Sequence, residues 1–169
     1  MNLVEKAREF ATTVHEGQYR DGKVRIPYIT HPAEVAELVK AYGASEEAVC
    51  AAWLHDTVED TETTLEDIER EFGKKVASIV AEVTDNPEHT RAQKKAAQIE
   101  HASQYSECAA LIKWADKTSN VRSLKKTPPG WSVEKQREYV RLADALVYNL
   151  AYAPKTAVMK YTEATSEIV

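Results

Sequence analysis

The dipeptide His55-Asp56 sets an imidazole nitrogen beside a carboxylate oxygen, and at the end of a helix the two can reach one metal ion. Thr57-Val58-Glu59-Asp60 follows. Glu59 lies four residues after His55 and Asp60 four after Asp56, so both carboxylates share a face if the helix continues through them. Crowding these groups at a helix C-terminus is electrostatically unfavourable without a cation. Two further donors are available: His31, followed by Pro32, and Asp116, set in LIKWADKTSN with Asn120 one turn on. Two His and two Asp form a mixed nitrogen and oxygen set that suits Mn²⁺, Fe²⁺ or Zn²⁺ and leaves positions for water and substrate. Singly, each residue has an ordinary explanation. A lone Asp on a helix faces solvent, a His beside a Pro caps or lies at the surface, and Glu59 and Asp60 can be solvated helix-end carboxylates. The order His…His-Asp…Asp is what favours a metal.

The elements that must position these residues read as a string of amphipathic helices. The first covers about residues 2–16, with Val4, Ala7, Phe10, Ala11 and Val14 on one face. Residues 17–30 hold Gly17, Gly22 and Pro27 and read as a loop. A second helix starts near His31-Pro32, where Pro suits the first turn, and ends near Gly43. Ser45 caps a third, and Thr64 a short one that stops at Gly73. Further helices are expected over about 74–83, 92–105 and 109–124. Pro128, Pro129 and Gly130 break the chain, Ser132 opens a helix to about Tyr148, and a last one covers about 155–165. The expectation is an all-α fold of about eight to ten helices in a single domain, residues 1–169.

Composition narrows the function. Twenty-two Lys and Arg stand against 27 Asp and Glu, a formal charge of −5, which disfavours wrapping nucleic acid but allows a phosphorylated small molecule at a local basic patch. Cys50 and Cys108 lack metal-ligand spacing and read as free thiols. The charged N-terminus is no signal peptide, and no apolar run approaches a membrane span. A cytoplasmic enzyme with a small-molecule substrate, no nucleic-acid partner and no membrane partner is expected; the oligomeric state is open.

The order His31, His55-Asp56, Asp116 resembles the HD superfamily of metal-dependent phosphohydrolases. His15-Glu16-Gly17-Gln18-Tyr19-Arg20 and Pro27-Tyr28-Ile29-Thr30-His31-Pro32 are similar to the opening signature of the RelA/SpoT hydrolase domain, and Leu54-His55-Asp56-Thr57-Val58-Glu59-Asp60-Thr61 to its central motif. Phe72-Gly73, Val83-Thr84-Asp85 and Ala115-Asp116-Lys117 with Asn120 and Arg122 extend the match. Pro129-Gly130-Trp131-Ser132, followed by Glu138-Tyr139, is similar to the stand-alone small alarmone hydrolases. The resemblance covers about residues 5–150. It implies one Mn²⁺ held by His31, His55, Asp56 and Asp116, with Glu59 and Asp60 handling the attacking water. The implied activity is 3′-pyrophosphohydrolysis of (p)ppGpp, without the synthetase activity of the longer enzymes. It also implies a basic loop before His31 that holds the guanine and its phosphates, where Arg20 matches and Lys23 or Arg25 can substitute. Asp21 departs from the basic residue usual at that point. Asn120, one turn after Asp116, can bond a sugar hydroxyl and Tyr139 can reach the ribose or a phosphate, while Lys94, Lys95 and Lys117 read either as phosphate partners or as exposed polar residues. A phosphatase of another nucleotide such as NADPH would use the same machinery. A silent nucleotide-binding HD domain would not need Glu59 and Asp60. Trp53 and Trp114 read as packing beside the metal residues, and Trp131 as an anchor of the last helical hairpin.

Overall fold

Side-chain oxygens near the helix starts take up backbone N–H groups that have no partner in the first turn. In the computed structural model, which describes residues 1–126 and 130–168, Asn2 and Glu5 cap each other across the start of α1 (Leu3–Val14). Next come α2 (Thr30–Ala41) and α3 (Glu46–Leu54), the latter headed by Ser45, whose hydroxyl accepts from the Ala48 amide. A single turn, α4 (Thr57–Asp60), leads to α5 (Leu65–Phe72), capped by the Thr64–Asp67 pair. Gly73, at φ +90, takes the corner into α6 (Lys74–Val83), a conformation that favours glycine. Then follow α7 (Arg91–His101), capped by Thr90 and Gln93, a 3-10 turn over Ala102–Gln104, and α8 (Glu107–Lys126). Ser132 caps α9 (Val133–Val147), and α10 (Lys155–Ser166) ends the fold. The expected Pro128-Pro129 break lies outside the described residues. Among those residues there is no strand beyond one isolated bridge, Tyr19 to Pro27, which closes the loop after α1. No described helix is long and apolar enough to cross a membrane.

The all-α expectation holds, with two differences that matter. The chain does not run helically through His55-Asp56. The His55 ring Nδ1 lies 2.7 Å from the Ala52 carbonyl, and the Thr57 hydroxyl donates to the Leu54 carbonyl at 2.8 Å. These side chains take acceptors that a continuing helix would use, and α3 stops at Leu54 before the single turn of α4. The other difference lies at the ends of two later helices. The helix expected over 92–105 ends at His101 in a 3-10 turn, and the one expected over 109–124 runs from Glu107 to Lys126.

Two apolar clusters hold the helices. Val35, Leu54, Ile68, Val80 and Ile112 are among those that knit α2, α3, α5 and α6 to one side of α8. Trp114, Val121, Leu146, Val147 and Tyr161 join its other side to α9 and α10. A helix buried on both sides is a fixed post, and α8 carries several of the polar residues described next. Trp114 is fully buried, and its indole N–H donates to the Tyr152 carbonyl at 2.9 Å.

Candidate active site

His31 sits in the first turn of α2, His55 and Asp56 at the break between α3 and α4, and Asp116 midway along α8. The fold brings all four to one point. His31 Nε2 lies 3.0 Å from Asp116 Oδ1 and 3.6 Å from Asp56 Oδ2. His55 Nε2 lies 3.1 Å from that Asp56 oxygen and 3.3 Å from that Asp116 oxygen. Donor atoms of His31, His55 and Asp116 all lie within 4.8 Å of one another. Both rings are buried, at 2% and 4% exposure.

The hydrogen bonds on the far side of each ring bear on what can occupy that point. His55 Nδ1 faces the Ala52 carbonyl, which only accepts, so Nδ1 carries the proton. In the neutral ring Nε2 then aims a lone pair at two carboxylate oxygens. Such an arrangement is repulsive unless the ring gains a proton or a cation sits between the groups. Burial alone would lower the His55 pKa, yet Asp56 and Asp116 hold it well above the ordinary value. Against their own burial, Asp56 is held low by His55 and His31, and Asp116 by Lys117 and His31. The donor set therefore fits a divalent cation. His31 is braced in the same way, with Nδ1 2.9 Å from the buried Ser119 hydroxyl.

A cleft of about 190 Å³ opens over this cluster, walled by Glu59, Asp85, Gln98, Lys113, Lys117 and Asn120. Glu59 stands at its rim, where Oε1 accepts from the Asp85 amide at 2.7 Å. Partial withdrawal from water lifts its carboxyl to about 7; the charges of Asp85 and Asp56 add to the lift, and the amide hydrogen bond opposes it. Asp60, expected on the same face, ends the same single turn. It does not line the cleft, yet burial and the Asp56 charge raise its carboxyl, which His15, His55 and Tyr28 oppose, and its carbonyl accepts from Gln18. Lys117 bonds Asp116 at 3.4 Å. Lys113 is buried, which pushes its ammonium down, as does the nearby Lys117.

A larger cavity of about 500 Å³ adjoins the cleft and shares Tyr28 and Asn120 with it. Arg20, Lys95, Asn120 and Tyr139 line it, as expected, together with Arg91 and Lys135. Arg20 donates to Asn120 Oδ1 at 3.3 Å. The buried Tyr139 hydroxyl has no partner among the described residues, and the Lys95 and Lys117 ammonium groups lie 5.6 and 5.8 Å from its ring centre. Lys23 is exposed and lines neither cavity, and Lys94 faces a separate groove with His89 and His101. Asp21 does line the larger cavity. Trp131 stands in its wall with the Lys135 ammonium 4.3 Å from its ring centre. Sequence reasoning assigned no role to Tyr28, Asp85, Lys113, Arg91 or Lys135. Two signals were present: a lysine in the apolar run LIKW, where an unpaired charge is rarely buried, and Arg91 with Lys95 on one face of α7.

A family model described as HD domain matches residues 7–151. The guanosine-3′,5′-bis(diphosphate) 3′-pyrophosphohydrolase MESH1 of Xenopus tropicalis is 44% identical over 151 residues, covering 88% of this chain and 84% of that protein. The Danio rerio protein of the same name is 42% identical over 144 residues, 83% and 80% of the two chains. A solved structure described as a metazoan ortholog of SpoT that hydrolyzes ppGpp and plays a role in starvation responses has a TM-score of 0.91. It is 34% identical and covers 99% of this chain and 96% of its own. The His-Asp cluster of this chain and these likenesses together make it a member of the HD-domain family, of the SpoT type.

Proposed function

We propose that this protein is a metal-dependent 3′-pyrophosphohydrolase that converts (p)ppGpp to GDP or GTP and pyrophosphate, with residues 1–169 forming a single hydrolase domain. The observation that carries the reading is the junction of two unlike cavities. An acidic, histidine-bearing cleft meets a cationic one at Tyr28 and Asn120. A nucleotide whose base and 5′ phosphates occupy the larger cavity would present its 3′ pyrophosphate to the His-Asp cluster. The relatives named above support the guanosine substrate, and a cytoplasmic location suits it.

His31, His55, Asp56 and Asp116 would hold Mn²⁺, with Fe²⁺ or Zn²⁺ as other ions the set accepts. When bound, such an ion lowers the pKa of a water and neutralises charge on the non-bridging phosphate oxygens. Glu59 takes the proton of the attacking water, a role suited to a carboxyl that burial raises above its ordinary value and that the Asp85 amide holds at the cleft. A new oxygen–phosphorus bond forms as the bond from phosphorus to the ribose 3′ oxygen breaks, and that oxygen leaves as a hydroxyl once protonated. Lys113 and Lys117 set positive charge against the phosphates. Arg20, Lys95 and Arg91 bind the remaining phosphates, Asn120 bonds a sugar hydroxyl, and the unpaired Tyr139 hydroxyl donates to the nucleotide. Asp60, beside Tyr28 and Asp56, accepts from Gln18 through its carbonyl and so braces the loop after α1; it is given no proton to move.

The test is to incubate metal-stripped protein with ppGpp, with and without Mn²⁺, and separate products by anion exchange. Mn²⁺-dependent GDP and pyrophosphate support the reading. Phosphate released from NADPH, with ppGpp untouched, would move the substrate, and no turnover despite bound metal would overturn the hydrolase assignment.

A further inference from the structure

Tyr28 belongs to neither the ligand set nor the substrate contacts above, yet it touches the first and lines the cavity of the second. Its hydroxyl donates to Asp56 Oδ2 at 2.6 Å, shorter than most bonds in the cluster. That oxygen is the one facing both histidine Nε2 atoms. A carboxylate oxygen has two lone pairs. With one engaged by the phenol, the other is directed at the point between the histidines. The ring sits between His15, tilted to it at 5.1 Å between centroids, and His31, edge-on at 5.8 Å. Its backbone is pinned as well. The Tyr28 amide donates to the Gln18 carbonyl at 2.8 Å, and the His31 amide to the Tyr28 carbonyl at 2.9 Å. The neighbouring Tyr19–Pro27 bridge closes the same loop. A residue that only filled this space would need the ring and not the hydroxyl.

We propose that Tyr28 is a positioning residue that fixes the Asp56 carboxylate for metal binding, acting through its hydroxyl. This rests on the metal reading of the cluster, but not on the choice of nucleotide. Hydrogen-bond partners that orient metal ligands are worth about 10–100-fold in metal affinity. Titrating the metal-stripped protein with Mn²⁺ and reading free Mn²⁺ by electron paramagnetic resonance gives a dissociation constant without turnover. Tyr28→Phe keeps the ring contacts and removes one oxygen. Its Mn²⁺ dissociation constant should rise at least about tenfold, while the KM of the metal-saturated enzyme for ppGpp stays within about threefold. Asp56→Asn supplies the control. If Tyr28 acts through Asp56, adding Tyr28→Phe to Asp56→Asn costs little further Mn²⁺ affinity. Wild-type affinity in Tyr28→Phe, or losses that multiply in the double variant, would overturn the proposal. Mn²⁺ binding by the wild type without cleavage of ppGpp would instead sink the substrate and leave Tyr28 standing. A wild type that binds no Mn²⁺ would sink Tyr28 and the metal together.

Discussion

Glu59→Gln separates two carboxylates that the sequence presents as a pair. The amide is isosteric and keeps the oxygen that accepts from the Asp85 amide at 2.7 Å, so the rim of the cleft is retained. What it removes is the ability to take a proton. A positioned general base is worth about 10²–10⁴ in rate, which at 1.36 kcal/mol per tenfold is about 2.7–5.4 kcal/mol of barrier. Asp60→Asn, outside the cleft lining and beside Tyr28 and His15, should cost no more than about tenfold. The pH profile adds a sign. Only the carboxylate accepts a proton, so kcat/KM should fall about tenfold per unit on the acid side of the Glu59 pKa. Without metal that value is about 7, in part because Asp56 and Asp85 are negative. A bound cation cancels some of that charge, so the loaded enzyme should turn at a pH below about 7 and above the ordinary value of about 4.3. The assay is kcat and kcat/KM for ppGpp at saturating Mn²⁺ across that range, for wild type and both variants. Glu59→Gln within about threefold of wild type, or a deeper loss in Asp60→Asn, would refute the assignment.

Three further outcomes follow from the same geometry. Ser119→Ala removes the hydroxyl 2.9 Å from His31 Nδ1 and should weaken Mn²⁺ binding about 10–100-fold, measured by chelator competition; unchanged affinity would show that the ring is held by packing alone. In the metal-stripped protein the raised His55 pKa contributes stability that is complete below about 6.5 and lost as pH climbs through the folded value. Thermal unfolding should therefore show the gap between Mn²⁺-loaded and stripped protein widening above neutrality, and a gap constant with pH would contradict this. Tyr161→Phe deletes the 2.6 Å bond from a fully buried phenol to Asp144 and should cost about 1.5–3 kcal/mol in urea unfolding; a change below about 0.5 kcal/mol would mean that the carboxylate finds another partner.

Helix identity and helix starts were legible because they rest on local chemistry. Ser45, Thr64 and Ser132 each cap the helix that follows them, and the all-α reading needed only periodicity. The convergence of His31, His55, Asp56 and Asp116 was legible from their order. The direction of the carboxylates beyond them was not. Glu59 lines the cleft and its neighbour Asp60 does not, a difference that spacing alone does not reveal. Nor did the sequence reveal which cations face the cavity. Arg91 and Lys135 reach it from α7 and α9, while Lys23, closer in sequence to Arg20, stays outside. That choice depends on how distant helices lie across one another. Trp131, expected to anchor a hairpin, lines the cavity for the same reason.

One helix supplies Lys113, Asp116, Lys117 and Asn120 to the cleft and Ser119 to its histidine. On an α-helix each residue advances about 100° around the axis and about 1.5 Å along it, so those four cleft residues fall within a quarter-turn or so of one another. The opposite faces of α8 carry Ile112, Trp114 and Val121 into the two apolar clusters. Inserting or deleting one residue within that stretch would swing the polar stripe into the core and an apolar one into the cleft. The helix can therefore absorb many single replacements in its outer turns, but its length between Lys113 and Asn120 is fixed as firmly as any residue in it.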